Sequence, residues 1–167
     1  MKLERFLLNR SGEIVPGLED LYKEIILDHY RNPRNQGELP VPPAVMEEGF
    51  NPLCGDEVKV YVLTDSDVIK DIRIAGQGCS ISQASASMMA ESVLNKTLEE
   101  AKNLIKKFKK MMSVHESNLD SSEISEDANE NSLGDLQALK GVVKYPVRIK
   151  CATLGWNTFD QIIDPKE

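Results

Sequence analysis

The sequence predicts an α+β fold in which a three-stranded antiparallel sheet packs against helices. Two neighbouring segments, Glu57–Leu63 and Val68–Ile74, alternate around β-branched residues, as half-buried strands do. Asp65-Ser66-Asp67 between them has the composition of a hairpin turn. Both flanks carry apolar residues at helical spacing, so the strands form a meander with one wet face and helices are available to cover the other.

Residues 1–17 lack a sustained period and end in Val15-Pro16-Gly17, which marks an N-terminal extension. Leu18, Leu21, Tyr22, Ile25, Ile26 and His29 then share one helical face. This helix must stop near Asn32, because Pro33 disfavours helical geometry at the residue before it. Arg34–Pro43 contains Gly37, Pro40, Pro42 and Pro43 and reads as a loop, followed by a short strand over Ala44–Glu48. After the meander, Ser80–Leu94 is rich in Ala, Ser and Met, which suits a helix packed closely on a neighbour. Thr97 can cap the next helix with Glu100 as its capping-box partner. Leu98, Ala101, Ile105, Phe108 and Met112 form that helix's apolar face. Its lysines, 102, 106, 107, 109 and 110, crowd the end that the helix dipole favours for cations, as a solvated face would. Leu133–Lys140 is a short helix closed by Gly141, and Pro146 suits the first turn of a last helix. Ile149, Ala152, Trp156, Phe159 and Ile163 form the apolar stripe of that helix, with Cys151 on its flank.

The chain has 167 residues, 41% hydrophobic and 28% charged, so one domain with an ordinary core is expected. The net charge of −7 argues against nucleic acid and anionic membrane as partners, since both call for a basic patch. Much of that charge lies in residues 113–131, which contain Glu116, Asp120, Glu123, Glu126, Asp127 and Glu130 but no Lys or Arg. With little apolar material, this segment cannot offset the entropy of ordering and reads as a mobile acidic insertion. No apolar run approaches the ~18 residues of a membrane span. Phe6-Leu7-Leu8 is too short for a signal-peptide core, so a cytoplasmic chain is expected.

Three cysteines, Cys54, Cys79 and Cys151, do not make a disulfide framework. They are buried thiols, metal ligands or reactive groups. Their spacings of 25 and 72 residues match no zinc-finger pattern, and local context says more. Gly55 lacks a Cβ, so the backbone can aim Cys54 and Asp56 at one centre. Cys79 opens a helix, where orphan N–H groups and the dipole favour thiolate. A meander returns the end of one strand to the start of its neighbour, so Cys79 and the Cys54–Asp56 pair can meet at one end of the sheet. Three buried cysteines acting as small apolar residues remain an equal reading of these residues alone. A nucleotide loop at Gly76-x-Gly78 fails, because there is no third glycine and no parallel βαβ unit. His29, at the end of a buried face, reads as a packed or capping residue, His115 as solvated and Trp156 as core.

Four stretches carry a family resemblance: Asn51-Pro52-Leu53-Cys54-Gly55-Asp56, Gly76-Gln77-Gly78-Cys79-Ser80-Ile81-Ser82, Val147-Arg148-Ile149-Lys150-Cys151, and Tyr22-x6-His29-Tyr30-Arg31-Asn32-Pro33-Arg34-Asn35-x-Gly37. They resemble the three cysteine motifs and the first helix of the IscU/SufU iron–sulfur cluster assembly proteins, related to the N-terminal part of NifU. The resemblance spans about residues 18–163 and implies a single domain of SufE/NifU-like fold. Lys150 stands where the scaffold branch has a His, and no Leu-Pro-Pro-Val-Lys motif precedes Cys151. Together with the long stretch between Cys79 and Cys151, this makes the chain similar to the SufU branch. That likeness implies a zinc-dependent sulfur carrier or sulfurtransferase with Cys54, Asp56, Cys79 and Cys151 as metal ligands and Cys54 as sulfur acceptor. It also implies a SufS-like cysteine desulfurase as donor and downstream iron–sulfur scaffold proteins as receivers. The alternative is an IscU-type scaffold carrying a transient [2Fe–2S] cluster on the same ligands. Three thiolates and a carboxylate exceed the charge of Zn²⁺ by two, and Arg148 and Lys150 flank Cys151 closely enough to offset the excess. A closed four-ligand site argues against hydrolytic zinc chemistry.

Overall fold

A computed structural model of the protein describes residues 7–8, 14–15, 17–113 and 130–165. Within the extension, β1 (Leu7–Leu8) and β2 (Ile14–Val15) pair as an antiparallel ladder. Helix α1 (Leu18–Arg31) follows and ends at Asn32 before Pro33. Strands β3 (Val45–Asn51), β4 (Asp56–Asp65) and β5 (Val68–Gln77) form the main sheet in the order β3-β4-β5, antiparallel throughout. Helices α2 (Ser80–Val93) and α3 (Leu98–Ser113), a 3-10 segment (Glu130–Lys144) and α4 (Pro146–Ile163) complete the domain.

The β4–β5 hairpin turns through Ser66 and Asp67, both with positive φ (50° and 64°). A two-residue turn of this kind matches the twist of the flanking strands. Val58, Val60 and Val62 on β4 and Ile72 and Ile74 on β5 point into the core. The other face is not uniformly wet: Tyr61 lies among its cross-strand neighbours Met46 and Arg73 and is 6% exposed. The outer edge of β5 is covered by irregular chain. Ile74 N–H donates to Asn35 O and Gly37 N–H to Ile74 O, while Ile69 N–H donates to Lys96 O. Helices α2 and α4 lie on the sheet, α2 also packing against α1 and α4. Trp156 is fully buried, stacks on Phe108 with ring centroids 4.2 Å apart, and donates its indole N–H to Ser85 Oγ at 3.1 Å. The expected capping box is present: Glu100 N–H donates to Thr97 Oγ1 at 3.1 Å and Thr97 N–H to Glu100 Oε2 at 2.8 Å.

Several expectations need correction. Strand β3 continues past Glu48 to Asn51, because Gly49 pairs with Val58 instead of ending the ladder. Likewise β5 runs past Ile74 to Gln77. The expected helix 133–140 is a 3-10 segment that passes through Gly141 without stopping. The conformational break lies at Gly134 (φ 53°), whereas Gly141 does not take the positive φ that a helix-terminating glycine adopts. Of the acidic stretch 113–131, Ser113 ends α3 and Glu130 opens the 3-10 segment, while 114–129, with His115, lies outside the described residues. No helix among the described residues is long and apolar enough to cross a membrane.

His29 is a packed residue, 2% exposed. Its Nδ1 sits 2.9 Å from Ser87 Oγ, which also accepts from Arg34 N–H, and its Nε2 lies 3.7 Å from Glu91 Oε2. Burial, reinforced by the Arg34 charge, holds the imidazole below its ordinary value of 6.5; Glu91, Asp28 and Asp135 oppose this without reversing it. The unfolded chain therefore takes up this proton first as pH falls. Stability should be unaffected by His29 above about pH 6.5 and should decline below it until the folded-state value is reached. Melting temperatures measured from about pH 7 to pH 5 are expected to fall less steeply in His29→Gln than in the wild type.

Candidate metal centre

The β3–β4 hairpin brings the first two candidate ligands to one end of the sheet. Asn51 pairs with Asp56, and the turn between them passes through Gly55 at φ 68°, a conformation that side chains with a Cβ resist. Cys54 is left half-exposed in this turn, while Asp56 points inward and is fully buried. At the same end of the sheet Glu57 of β4 pairs with Gln77, the last residue of β5, so the chain leaving β5 arrives beside Asp56. Cys79 N–H donates to Asp56 Oδ1 at 2.8 Å. Gly78 makes this approach possible: a Cβ there would lie 2.5 Å from Asp56 Oδ1 and 2.6 Å from Ser82 Oγ. Cys79 is the N-cap of α2, its sulfur accepting from Ser82 N–H at 3.5 Å.

Helix α4 supplies the third cysteine. Cys151 is fully buried, and its sulfur lies 3.2 Å from that of Cys54. Arg148, one turn earlier, reaches to 3.9 Å from Cys54 Sγ. Asn51 ties the parts together, donating from Nδ2 to Asp56 Oδ2 at 3.2 Å and to Cys151 Sγ at 3.5 Å while its Oδ1 accepts from Leu53 N–H at 3.3 Å.

Of the four ligands expected from sequence, Cys54, Asp56 and Cys151 place their ligand atoms all within 4.8 Å of one another. The Cys79 sulfur falls outside that set, although its backbone binds Asp56 directly. Only one of the two expected counter-charges reaches a site sulfur. Arg148 does, whereas Lys150 is exposed and faces a groove beside the site. Asn51 is the residue that sequence reasoning left without a role. A short amide side chain just before a tight turn is the signal that it bonds its own backbone two residues on.

Electrostatics sort these groups. Burial pushes the Asp56 carboxyl up, but hydrogen bonds from Cys79 N–H, Cys151, Asn51 and Ser82 outweigh it and hold the group below its usual range. Cys151 moves the other way: burial raises its thiol strongly, and Cys54, Asp56 and Cys79 add to the rise. The Arg148 guanidinium is held more firmly protonated by Cys151 and by the charges of Cys79 and Cys54. An ionised carboxylate is thus packed against a thiol that resists ionising beside it. A divalent, thiophilic cation would relieve that opposition, and sulfur with one carboxylate oxygen is a donor set such ions accept.

The arrangement defines a metal-binding α+β protein whose candidate site gathers two cysteine sulfurs and one hydrogen-bonded carboxylate, with a third cysteine at the adjoining helix start. The chain belongs to the NifU-like N terminal domain family, whose model matches residues 21–152. It is 41% identical over 150 residues to the zinc-dependent sulfurtransferase SufU of Bacillus subtilis (strain 168), covering 90% of this chain and 94% of that one. It is 39% identical over 146 residues to the iron–sulfur cluster assembly scaffold protein IscU of Streptococcus pyogenes serotype M1, covering 87% and 84%. Its fold resembles the crystal structure of a protein assigned to iron–sulfur cluster scaffolding in the SUF system of Fervidobacterium islandicum AW-1. There the TM-score is 0.73 at 35% identity, with 89% of this chain and all of that one covered. The protein is thus an iron–sulfur cluster assembly protein of the SufU and IscU type, with the α+β fold expected from its sequence.

Proposed function

We propose that this chain is a zinc-dependent sulfurtransferase, accepting persulfide sulfur from a cysteine desulfurase on Cys54 and passing it to iron–sulfur scaffold proteins. The observation that carries the reading is the unequal placement of the sulfurs. Cys151 is fully buried, and Cys79, half-exposed like Cys54, is fixed as the N-cap of a helix, whereas Cys54 stands in a glycine turn 3.2 Å from Cys151. The relative named a zinc-dependent sulfurtransferase, at 41% identity, supports it, as does Lys150 at the position before Cys151.

Cys54, Asp56, Cys79 and Cys151 would hold the metal. Zinc, when bound, keeps coordinating thiols deprotonated. The chain's own groups do the rest. The Cys54 thiolate attacks the outer sulfur of the donor persulfide; a new S–S bond forms at Cys54, and the donor's S–S bond breaks to release its thiolate. Arg148, 3.9 Å from Cys54 Sγ, stabilises negative charge on that sulfur. Asn51 and Cys79 N–H fix the Asp56 carboxylate.

A second reading, an IscU-type scaffold that builds a [2Fe–2S] cluster on these ligands, is favoured by relatives at 39% and 34% identity that carry the scaffold name. Metal content separates the two. The sulfurtransferase reading expects a colourless protein with one zinc per chain, and the scaffold reading a brown protein with iron and sulfide. Residues 18–163 are proposed as one domain in which the acidic insertion is dispensable for folding. Replacing 114–129 by a short Gly/Ser linker is expected to move the melting temperature by no more than about 2 °C, because closing a long polar loop costs little more than closing a short one. A larger loss on thermal melting would show that the segment packs on the domain.

A further inference from the structure

A groove of about 340 Å³ runs between the turn after β3 and the outer flank of α4. Phe50 and Leu53 wall it on one side, and Lys150, Thr153 and Leu154 on the other. It lies beside the site: Asn51, which donates to Asp56 and to Cys151 Sγ, is part of its lining, and Leu53 and Lys150 immediately precede Cys54 and Cys151 in the chain. Its apolar walls face solvent: Phe50 is 60% and Leu53 61% exposed. Tyr145 (64%) and Val147 (56%) at the start of α4 extend the exposed apolar surface on the Cys151 side. Lys150 is the one charged residue of the lining and makes no ion pair among the described residues.

We infer that this groove docks the segment of the sulfur donor that carries its persulfide, through a large apolar side chain against Phe50 and Leu53 and a carboxylate against Lys150. The inference rests on the sulfur-acceptor reading of Cys54 and adds the surface that selects the donor. Transfer requires the donor's persulfide at Cys54, so whatever flanks that persulfide must pass over the residues next to Cys54 and Cys151. The groove is open to solvent, with Phe50 and Leu53 largely exposed, which suits a protein segment better than an enclosed small molecule. In a chain of net charge −7, a single cation in an otherwise uncharged lining favours an acidic residue in the segment that binds there.

The test compares two sulfur donors on the same variants of the full, metal-loaded chain. Leu53→Asp and Lys150→Glu both alter exposed side chains. Each is expected to weaken desulfurase binding and single-turnover sulfur transfer from the desulfurase at least tenfold. Transfer from a low-molecular-weight donor, cysteine persulfide, should change less than twofold. An acid-to-lysine substitution beside the donor's persulfide cysteine should restore binding to Lys150→Glu and not to the wild type. Equal losses with both donors, or no loss with either, would overturn the inference while leaving Cys54 as acceptor. Dissociation of a homodimer with desulfurase transfer intact would assign the groove to a second copy of this chain and also overturn it. A wild type that takes sulfur from neither donor would overturn the sulfur-acceptor reading and this inference together.

Discussion

Replacing Cys54 by serine is expected to abolish sulfur acceptance, with no measurable persulfide on the chain after incubation with desulfurase and cysteine. An alcohol cannot take up the transferred sulfur, and neither remaining thiol is placed to substitute. Cys151 is fully buried in α4, and its thiol is pushed up by burial and by Cys54 and Asp56 beside it. Cys79 is engaged at the start of α2, its sulfur accepting from Ser82 N–H. Cys54 sits beside Gly55 in a four-residue turn, so its sulfur can move with little cost to the surrounding structure. Alkylation of the folded protein should also mark Cys54 ahead of Cys151. Retained sulfur transfer in Cys54→Ser, read as label passed from cysteine to the chain, would refute the role.

Metal removal is expected to have the largest effect on stability. A ligand present at about a thousandfold over its Kd adds about 4 kcal/mol to the folded state. For a chain of 167 residues, each kcal/mol moves the melting temperature by about 2–4 °C. Complete chelation should therefore lower it by on the order of 10 °C. The structural cause is local. Asp56 is fully buried and held ionised by its hydrogen bonds, while the Cys54 and Cys151 sulfurs crowd it, so the bare site sets a buried carboxylate against two sulfurs that a cation would draw together. Asp56→Ala should bind zinc more weakly while leaving all three thiols in place. An unchanged melting curve after complete chelation would remove the metal from the folding account.

Much of this was legible in the sequence, because the signals were local. Pro33 ends α1, Thr97 and Glu100 close a capping box, Pro146 opens α4, and the alternation around Val58 and Ile72 makes the meander. The fold class follows from those. Local signals failed where partners decided the outcome. Gly49 stays in its strand because Val58 pairs with it, and the glycine that breaks the 3-10 segment is Gly134, the one of the two with positive φ. At the site, strand order brings Cys79 to Asp56, which the meander predicted. The direction in which each side chain points is a property of packing, and spacing does not encode it. Hence the Cys79 sulfur lies outside the set formed by Cys54, Asp56 and Cys151, and Lys150 faces the groove where Arg148 faces the sulfurs. Asn51 escaped notice for the same reason: its bonds to Asp56 and Cys151 join residues as far as 100 positions apart.

Peptide mapping of the wild-type chain after a single turnover with desulfurase and cysteine tests the central claim most directly. The account predicts one added sulfur, located on the peptide containing Cys54 and transferable to a scaffold protein. Sulfur found chiefly on Cys79 or Cys151, or a stable iron–sulfur cluster assembled on this chain with no sulfur passed onward, would contradict it.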